Sequence, residues 1–356
     1  MEEVLSMASK LDDRKKRILK VITDDYIASG EPVGSRTIAR RYDLGLSPAT
    51  IRNEMADLEE SGFLEQPHTS AGRVPSERGY RFYVDALMAR QNLTELEIDA
   101  IYGDLEKYHQ EMEAVIQKTS KILVQMTQYP SLVLSPQINS AIFRHVQLVK
   151  LSSNTVLVVI VTDTGLVENK VIELQQEIST EELDRLSNLL NQKLRGLSLN
   201  KLQINLFDDI SSELVFHDQL FNEALKMLIK SMMNRNKSGE RVYIDGATKM
   251  LEQPEFLDVQ KFKPLMNLLE EEDRLYKLLC KDLIAKSRVK IGHENEEQGI
   301  QDCSVVTASY EIAGRTVGVI GILGPTRMDY GKVLPVVEVT AAILSDLLSQ
   351  MSKRGL

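Results

Sequence analysis

The stretch from Ser47 to Pro75 constrains this chain more than any other. Ser47 suits a helix N-cap, and Pro48 follows at the first helical position, where its missing N–H costs nothing. Ile51, Met55 and Leu58 then recur at spacings of four and three, which defines one buried stripe. At about 100° per residue, Ala49, Arg52, Asn53 and Ala56 fall on the opposite side. Gly62 stops the helix. The residues after it, Phe63-Leu-Glu-Gln-Pro-His-Thr-Ser-Ala-Gly-Arg-Val-Pro75, read as a compact hairpin broken by Pro67, Gly72 and Pro75.

The flanks turn this pair of elements into a plan. Upstream, Ile18, Val21, Ile22 and Tyr26 form one apolar helical stripe, starting near Leu11 and ending before Gly30-Glu31-Pro32. Ser35 is expected to cap a short second helix carrying Ile38, Ala39 and Tyr42, and Asp43-Leu44-Gly45-Leu46 turns the chain into the third. Three helices, a glycine-containing turn and a hairpin predict a winged helix-turn-helix, whose third helix enters the major groove of DNA. On that plan two alanines allow close backbone approach, while Arg52 and Asn53 carry donors suited to guanine and adenine edges. Thr50, at the margin, suits a phosphate or a thymine methyl. Ser35, Arg36 and Ser47 belong to the same surface, and free N–H groups at the helix start attract phosphate. In the wing, Thr69, Ser70 and Arg73 are phosphate donors. His68 has no His or Cys at ligand spacing, so a phosphate or minor-groove contact, or plain loop structure, is expected in place of a metal. An ordinary amphipathic helix with a solvated face has the same stripe as residues 47–60. The flanking elements, not the stripe, favour DNA.

Charge sets a condition on this reading. Residues 10–90 hold 14 Lys+Arg against 13 Asp+Glu, while the whole chain holds 43 against 52, so the remainder is acidic. Phosphate attraction is local and screened within about 10 Å, so the positive charge must gather on one surface. Candidates are the Arg14–Arg17 run, Arg36, Arg40, Arg41, Arg52 and Arg73; a solvated helix face explains the Arg14–Arg17 run equally well.

Three segments, Ser47-Pro-Ala-Thr-Ile-Arg-Asn-Glu-Met-Ala-Asp-Leu-Glu59, Pro67-His-Thr-Ser-Ala-Gly-Arg-Val-Pro75 and Gly79-Tyr-Arg-Phe-Tyr-Val-Asp85, resemble the heat-inducible transcription repressor HrcA family of bacteria. Gly324-Pro-Thr-Arg-Met-Asp-Tyr330 is similar too, so the likeness brackets nearly the whole chain and is strongest over residues 10–90. The resemblance implies a homodimeric repressor that binds double-stranded DNA at an inverted-repeat operator, CIRCE, ahead of chaperone operons. It also implies that the chaperonin GroEL supports its active fold and that repression lapses on heating. It further implies a winged helix, a GAF-like domain and an inserted dimerising domain.

The remaining sequence is consistent with that α+β multidomain plan. A length of 356 residues suggests two or three domains. Thr94 and Glu97 make a capping box for a helix over 91–127, whose apolar stripe from Ile98 to Val115 fits a dimer seam or, preferably, packing on its own sheet. Strands are expected at Val146–Leu151, Thr155–Val161, Leu166–Leu174, Val305–Ile312 and Thr316–Leu323. The segment between these two blocks reads as mostly helical, including Leu214–Met233 and Phe262–Ile284, with short strands at Leu202–Leu206 and Val242–Ile244. A last helix runs from about Tyr330 to Met351. The expected division is a winged-helix domain over 1–90, a GAF-like domain over 91–175 and 287–356, and an inserted dimerisation domain over 176–286. Met227-Leu-Ile-Lys-Ser-Met-Met233 suits either core packing or the dimer interface, with a slight preference for the interface.

Reaction chemistry is poorly represented. No glycine-rich phosphate loop, HExxH or zinc spacing occurs, and Cys280 and Cys303 lack a CxxC pattern, so no catalytic residue, cofactor or metal is expected. A ligand sensor or enzyme in the acidic body is the competing reading; His293-Glu294 near Asp302-Cys303 is its best cluster. A winged helix that binds protein alone is a third. No signal peptide and no run of ~18 apolar residues is present, so no membrane association and a cytoplasmic location are expected.

Overall fold

A computed structural model of the chain describes residues 11–68, 71–109, 111–136, 142–163, 167–174, 177–197 and 241–354. The expected elements at 202–206 and 214–233, and the methionine-rich stretch, lie outside the described residues.

The N-terminal unit begins with α1 (Asp13–Ser29), capped by the Asp12 carboxylate and closed by Gly30 in the left-handed region. Next come α2 (Ser35–Arg41) and α3 (Pro48–Glu60). Two-residue strands β1 (Leu64–Glu65) and β2 (Val74–Pro75) pair antiparallel, and Val33 adds a bridge to Arg73. Ile18, Leu19, Ile22, Ile38, Ile51, Met55, Leu58 and Phe63 bury together as one small core. The expected cap at Ser35 is displaced by one residue. Gly34 holds the N-cap position with extended backbone, and Ser35 is the first helical residue. Asp25, almost fully buried on α1, accepts from Arg41 (2.8 Å) and Tyr42 (3.2 Å) and so ties α2 down.

Two glycines are required by close approach. A Cβ on Gly72 would sit 2.4 Å from the Val33 carbonyl oxygen, and one on Gly79 would sit 2.1 Å from that of Phe63. Gly79 lies on α4 (Glu77–Phe82), capped by Ser76 and prolonged by a π-turn to Leu87. This short helix seats the hairpin against the body.

The helix expected over 91–127 is two. α5 (Glu95–Glu106) ends in a turn where His109 Nδ1 donates to the Glu106 carbonyl (2.7 Å), and α6 (Met112–Thr127) restarts along the sheet. Ile101, Leu105, Val115 and Ile116 bury in the chain's own core, so their stripe serves intradomain packing.

The body is a five-stranded antiparallel sheet ordered β7-β3-β10-β9-β8. Its strands are β3 (Ser131–Leu134), β7 (Val242–Asp245), β8 (Ser287–Ile291), β9 (Cys303–Ile312) and β10 (Arg315–Pro325). Alternate residues face opposite layers, as a strand's period of two requires. Val133, Val306, Ile320 and Ile322 pack beneath α6 and the last helix, α10 (Tyr330–Arg354). Leu132, Leu134, Val305 and Val319 pack beneath α8 (Val259–Glu270) and α9 (Glu272–Cys280).

A second sheet stands apart from this one. β4 (Phe143–Lys150), β5 (Thr155–Thr162) and β6 (Val167–Glu173) pair only with each other among the described strands. α7 (Thr180–Leu194), capped by Ser179 and Glu182, covers one face through Leu183, Leu186, Leu190 and Leu194. Period-two alternation identified these strands but carries no information about their partners. Strands expected to share one domain with β9 and β10 thus form a separate sheet, while β7, expected within the insertion, is an edge of the main sheet.

Candidate nucleic-acid interface

Helix α3 is built to present one face. The Ser47 hydroxyl accepts from the Thr50 amide (3.1 Å) and lies 2.9 Å from the Thr50 hydroxyl, so both side chains organise the helix start. Ile51, Met55 and Leu58 anchor the inner stripe, while Ala49, Arg52, Asn53 and Ala56 are exposed together on the outer side.

The basic residues divide sharply. Arg14 reaches Glu54 (3.2 Å), and Lys15 reaches both Glu54 (3.3 Å) and Asp57 (3.0 Å), so these two cations offset acids on α3. Hydrogen bonding to Asp57, then to Glu54, raises the Lys15 pKa and keeps it charged. Arg41 is held by Asp25. Arg73 grips the Glu59 carboxylate at 2.6 and 2.8 Å with its side chain only 20% exposed. Arg73 therefore fastens the hairpin to the end of α3, and a phosphate would have to compete with that bond. Among the described residues, Arg17, Arg36, Arg40 and Arg52 make no ion pair and are all exposed. These four cations lie on α1, α2 and the outer face of α3, while Arg78 on α4 is exposed with its guanidinium over the Phe63 ring.

The other expected contacts are less concentrated. Ser35 is half-buried at the start of α2, with Arg36 exposed beside it. His68 is exposed in the hairpin loop, and its carbonyl accepts from Ala71 (2.9 Å); Thr69 and Ser70 lie outside the described residues. Among the described residues no three His, Cys, Asp or Glu side chains are grouped to hold a metal ion, and no helix is long and apolar enough to cross a membrane.

The cluster that favoured a sensor is engaged elsewhere. His293 bonds Glu77, and Glu294 bonds Arg81, so both meet the N-terminal unit instead of lining a site in the body. Arg81 is structural, bonded to Glu294, Asp85 and the Val289 carbonyl. Its partners across the joint were not legible in sequence, because more than two hundred positions separate them.

A helix that offers a guanidinium, a carboxamide and two alanines to solvent, on a unit with further unpaired arginines, is suited to a protein that binds an extended anionic partner. Comparison with known proteins supports that class. Residues 113–334 match the family model described as HrcA protein C terminal domain. The heat-inducible transcription repressor HrcA of Pelotomaculum thermopropionicum is 47% identical over 348 residues, covering 96% of this chain and 98% of that protein. The repressor of the same name from Brevibacillus brevis is 45% identical over 344 residues, covering 97% and 100%. A solved structure described as a hypothetical protein shares the fold, with a TM-score of 0.59 at 21% identity over 96% of this chain and 99% of that one.

The chain belongs to the HrcA family of heat-inducible transcription repressors. It is a DNA-binding regulator of the heat-shock response and not an enzyme.

Proposed function

We propose that the N-terminal unit is a winged helix-turn-helix that reads operator DNA through α3. The carrying observation is the joint exposure of Ala49, Arg52 and Asn53 on a helix whose opposite stripe is buried. Arg52 and Asn53 are assigned to base edges, Ser47 and Thr50 to the helix start beside phosphate, and Ser35 and Arg36 to backbone positioning. Arg17 and Arg40 extend the phosphate track. His68, Thr69, Ser70 and Arg73 are assigned to phosphate contacts of the wing, with Arg73 acting mainly through Glu59.

The division into domains follows the sheets in this reading. The five-stranded sheet with α5, α6 and α8–α10 is the GAF-like body, and β4–β6 with α7 begin an inserted dimerising unit. Across the uncovered face of that unit, Val149, Leu157 and Val171 share one row, and Val161 and Val167 another. Val149, Val167 and Val171 are exposed there, as expected of a surface that a second copy covers in a two-fold repressor. The operator is an inverted repeat of the CIRCE type ahead of chaperone operons. The chaperonin GroEL supports the active fold, and the protein works in the cytoplasm.

Footprinting on the source chromosome, followed by gel-shift titration at fixed salt, tests this. Protection of inverted repeats upstream of chaperone genes is expected. Retention of no chromosomal fragment would overturn it and favour a protein-binding winged helix.

A further inference from the structure

Gly292-His293-Glu294 forms a short turn at the end of β8, directly against α4 of the N-terminal unit. The Glu77 carboxylate accepts from the His293 ring Nδ1 (2.8 Å) and from the His293 amide (3.2 Å). Glu294 receives the Arg81 guanidinium through both carboxylate oxygens, and that guanidinium also donates to the Val289 carbonyl (2.7 Å). Gly292 has φ +54°, and a Cβ there would lie 2.0 Å from Glu77 Oε1. Buried Asn295 ties the turn to the sheet, donating to the carbonyls of Gly292 and Cys303 at 3.0 Å each.

On the other flank, Arg327 holds Glu255 and reaches the Ile27 carbonyl at the end of α1 (3.3 Å). Between the two flanks, Tyr80 is buried against Tyr330 with ring centroids 6.2 Å apart. The N-terminal unit is therefore docked on the body at two polar points around an aromatic centre, rather than hung on a linker.

We infer that the Gly292-His293-Glu294 turn is a clip that sets the orientation of the DNA-reading helix relative to the body, and hence the half-site spacing that a dimer accepts. The inference rests on the DNA-reading assignment of α3. Each base pair added between half-sites moves them about 3.4 Å and rotates them about 34°. A rigid joint resists that displacement, whereas a loose one follows it. Glu77, Arg81, Gly292, His293 and Glu294 are positioning residues that never touch DNA.

Two measurements on the full-length chain test the clip. In the first, the footprinted operator is remade with its spacer lengthened or shortened by about two base pairs and lengthened by about half a turn. Wild type should lose about ten-fold or more in affinity on the altered spacers. E77Q/E294Q, and separately G292A, should bind the native spacing within about three-fold of wild type and show most of that discrimination gone. Unchanged discrimination in both variants, or a wild type indifferent to spacing, overturns the clip. The second measurement needs no DNA. Spin labels at E60C and K353C, in a C280S background, should give a narrow distance distribution that E77Q/E294Q broadens; an equally narrow one in the variant overturns the clip. A wild type that binds no operator but whose label distances broaden in the variant would overturn the DNA-reading assignment and leave the clip standing.

Discussion

Arg52 and Asn53 are the residues proposed to carry the recognition chemistry, and each is exposed without being needed by the core. Replacing either with alanine should cost about 1–3 kcal/mol of specific binding while leaving folding intact. Titration against cognate and scrambled duplexes checks this; equal losses on both would contradict base reading. Arg73 behaves differently, because its guanidinium lies on Glu59. Arg73→Ala should lower the melting temperature as well as binding, and Glu59→Gln should reproduce the stability loss alone. Ser47→Ala should cost about 0.5–2 kcal/mol of stability by removing the cap on the Thr50 amide. His293 offers a titration test at this scale. The Glu77 hydrogen bond raises its pKa above the ordinary 6.5. The charged pair therefore contributes fully below about pH 6.5 and is lost as pH rises through the elevated value. Ring resonances should titrate above 6.5 in the wild type and fall back towards it in Glu77→Gln.

At the scale of elements, the hairpin depends on two backbone approaches that only glycine permits. Gly79→Ala forces a methyl group onto the Phe63 carbonyl, so it should cost about 1–3 kcal/mol in denaturant unfolding or prevent the hairpin from seating. Much of this level was legible beforehand. The caps at Ser47 and Thr94, the stripe of α3 and the alternation of β4–β6 are local patterns, and the structure realises them. The break between α5 and α6 was not legible, because Ile98 to Val115 continues one stripe across a turn. Strand β3 went unnoticed because Ser131–Leu134 is buried on both faces and shows no alternation.

For the whole molecule, the uncovered face of β4–β6 bears on assembly. Val171→Asp should convert a dimer to a monomer in sedimentation at micromolar concentration and weaken operator binding without unfolding the chain. An unchanged sedimentation coefficient would move the dimer contact elsewhere. The acidic body also matters here. With four exposed arginines on α1, α2 and α3 that make no ion pair, phosphate attraction is strong on that part of the N-terminal unit, and binding should fall steeply with salt.

The helix starts at Ser47 and Thr94, the apolar stripes and the outward placement of Ala49, Arg52 and Asn53 followed from sequence alone. Each rests on contacts within a few residues, where geometry is set by the 3.6-residue period and by capping. Which arginines stay free, which strands share a sheet and how the N-terminal unit meets the body were decided only by tertiary structure. Those outcomes depend on partners from 14 to 213 residues away, such as Arg73 with Glu59, Val242 with Leu134 and Arg81 with Glu294. Chain closure over such distances depends on the fold as a whole, and no local pattern records it.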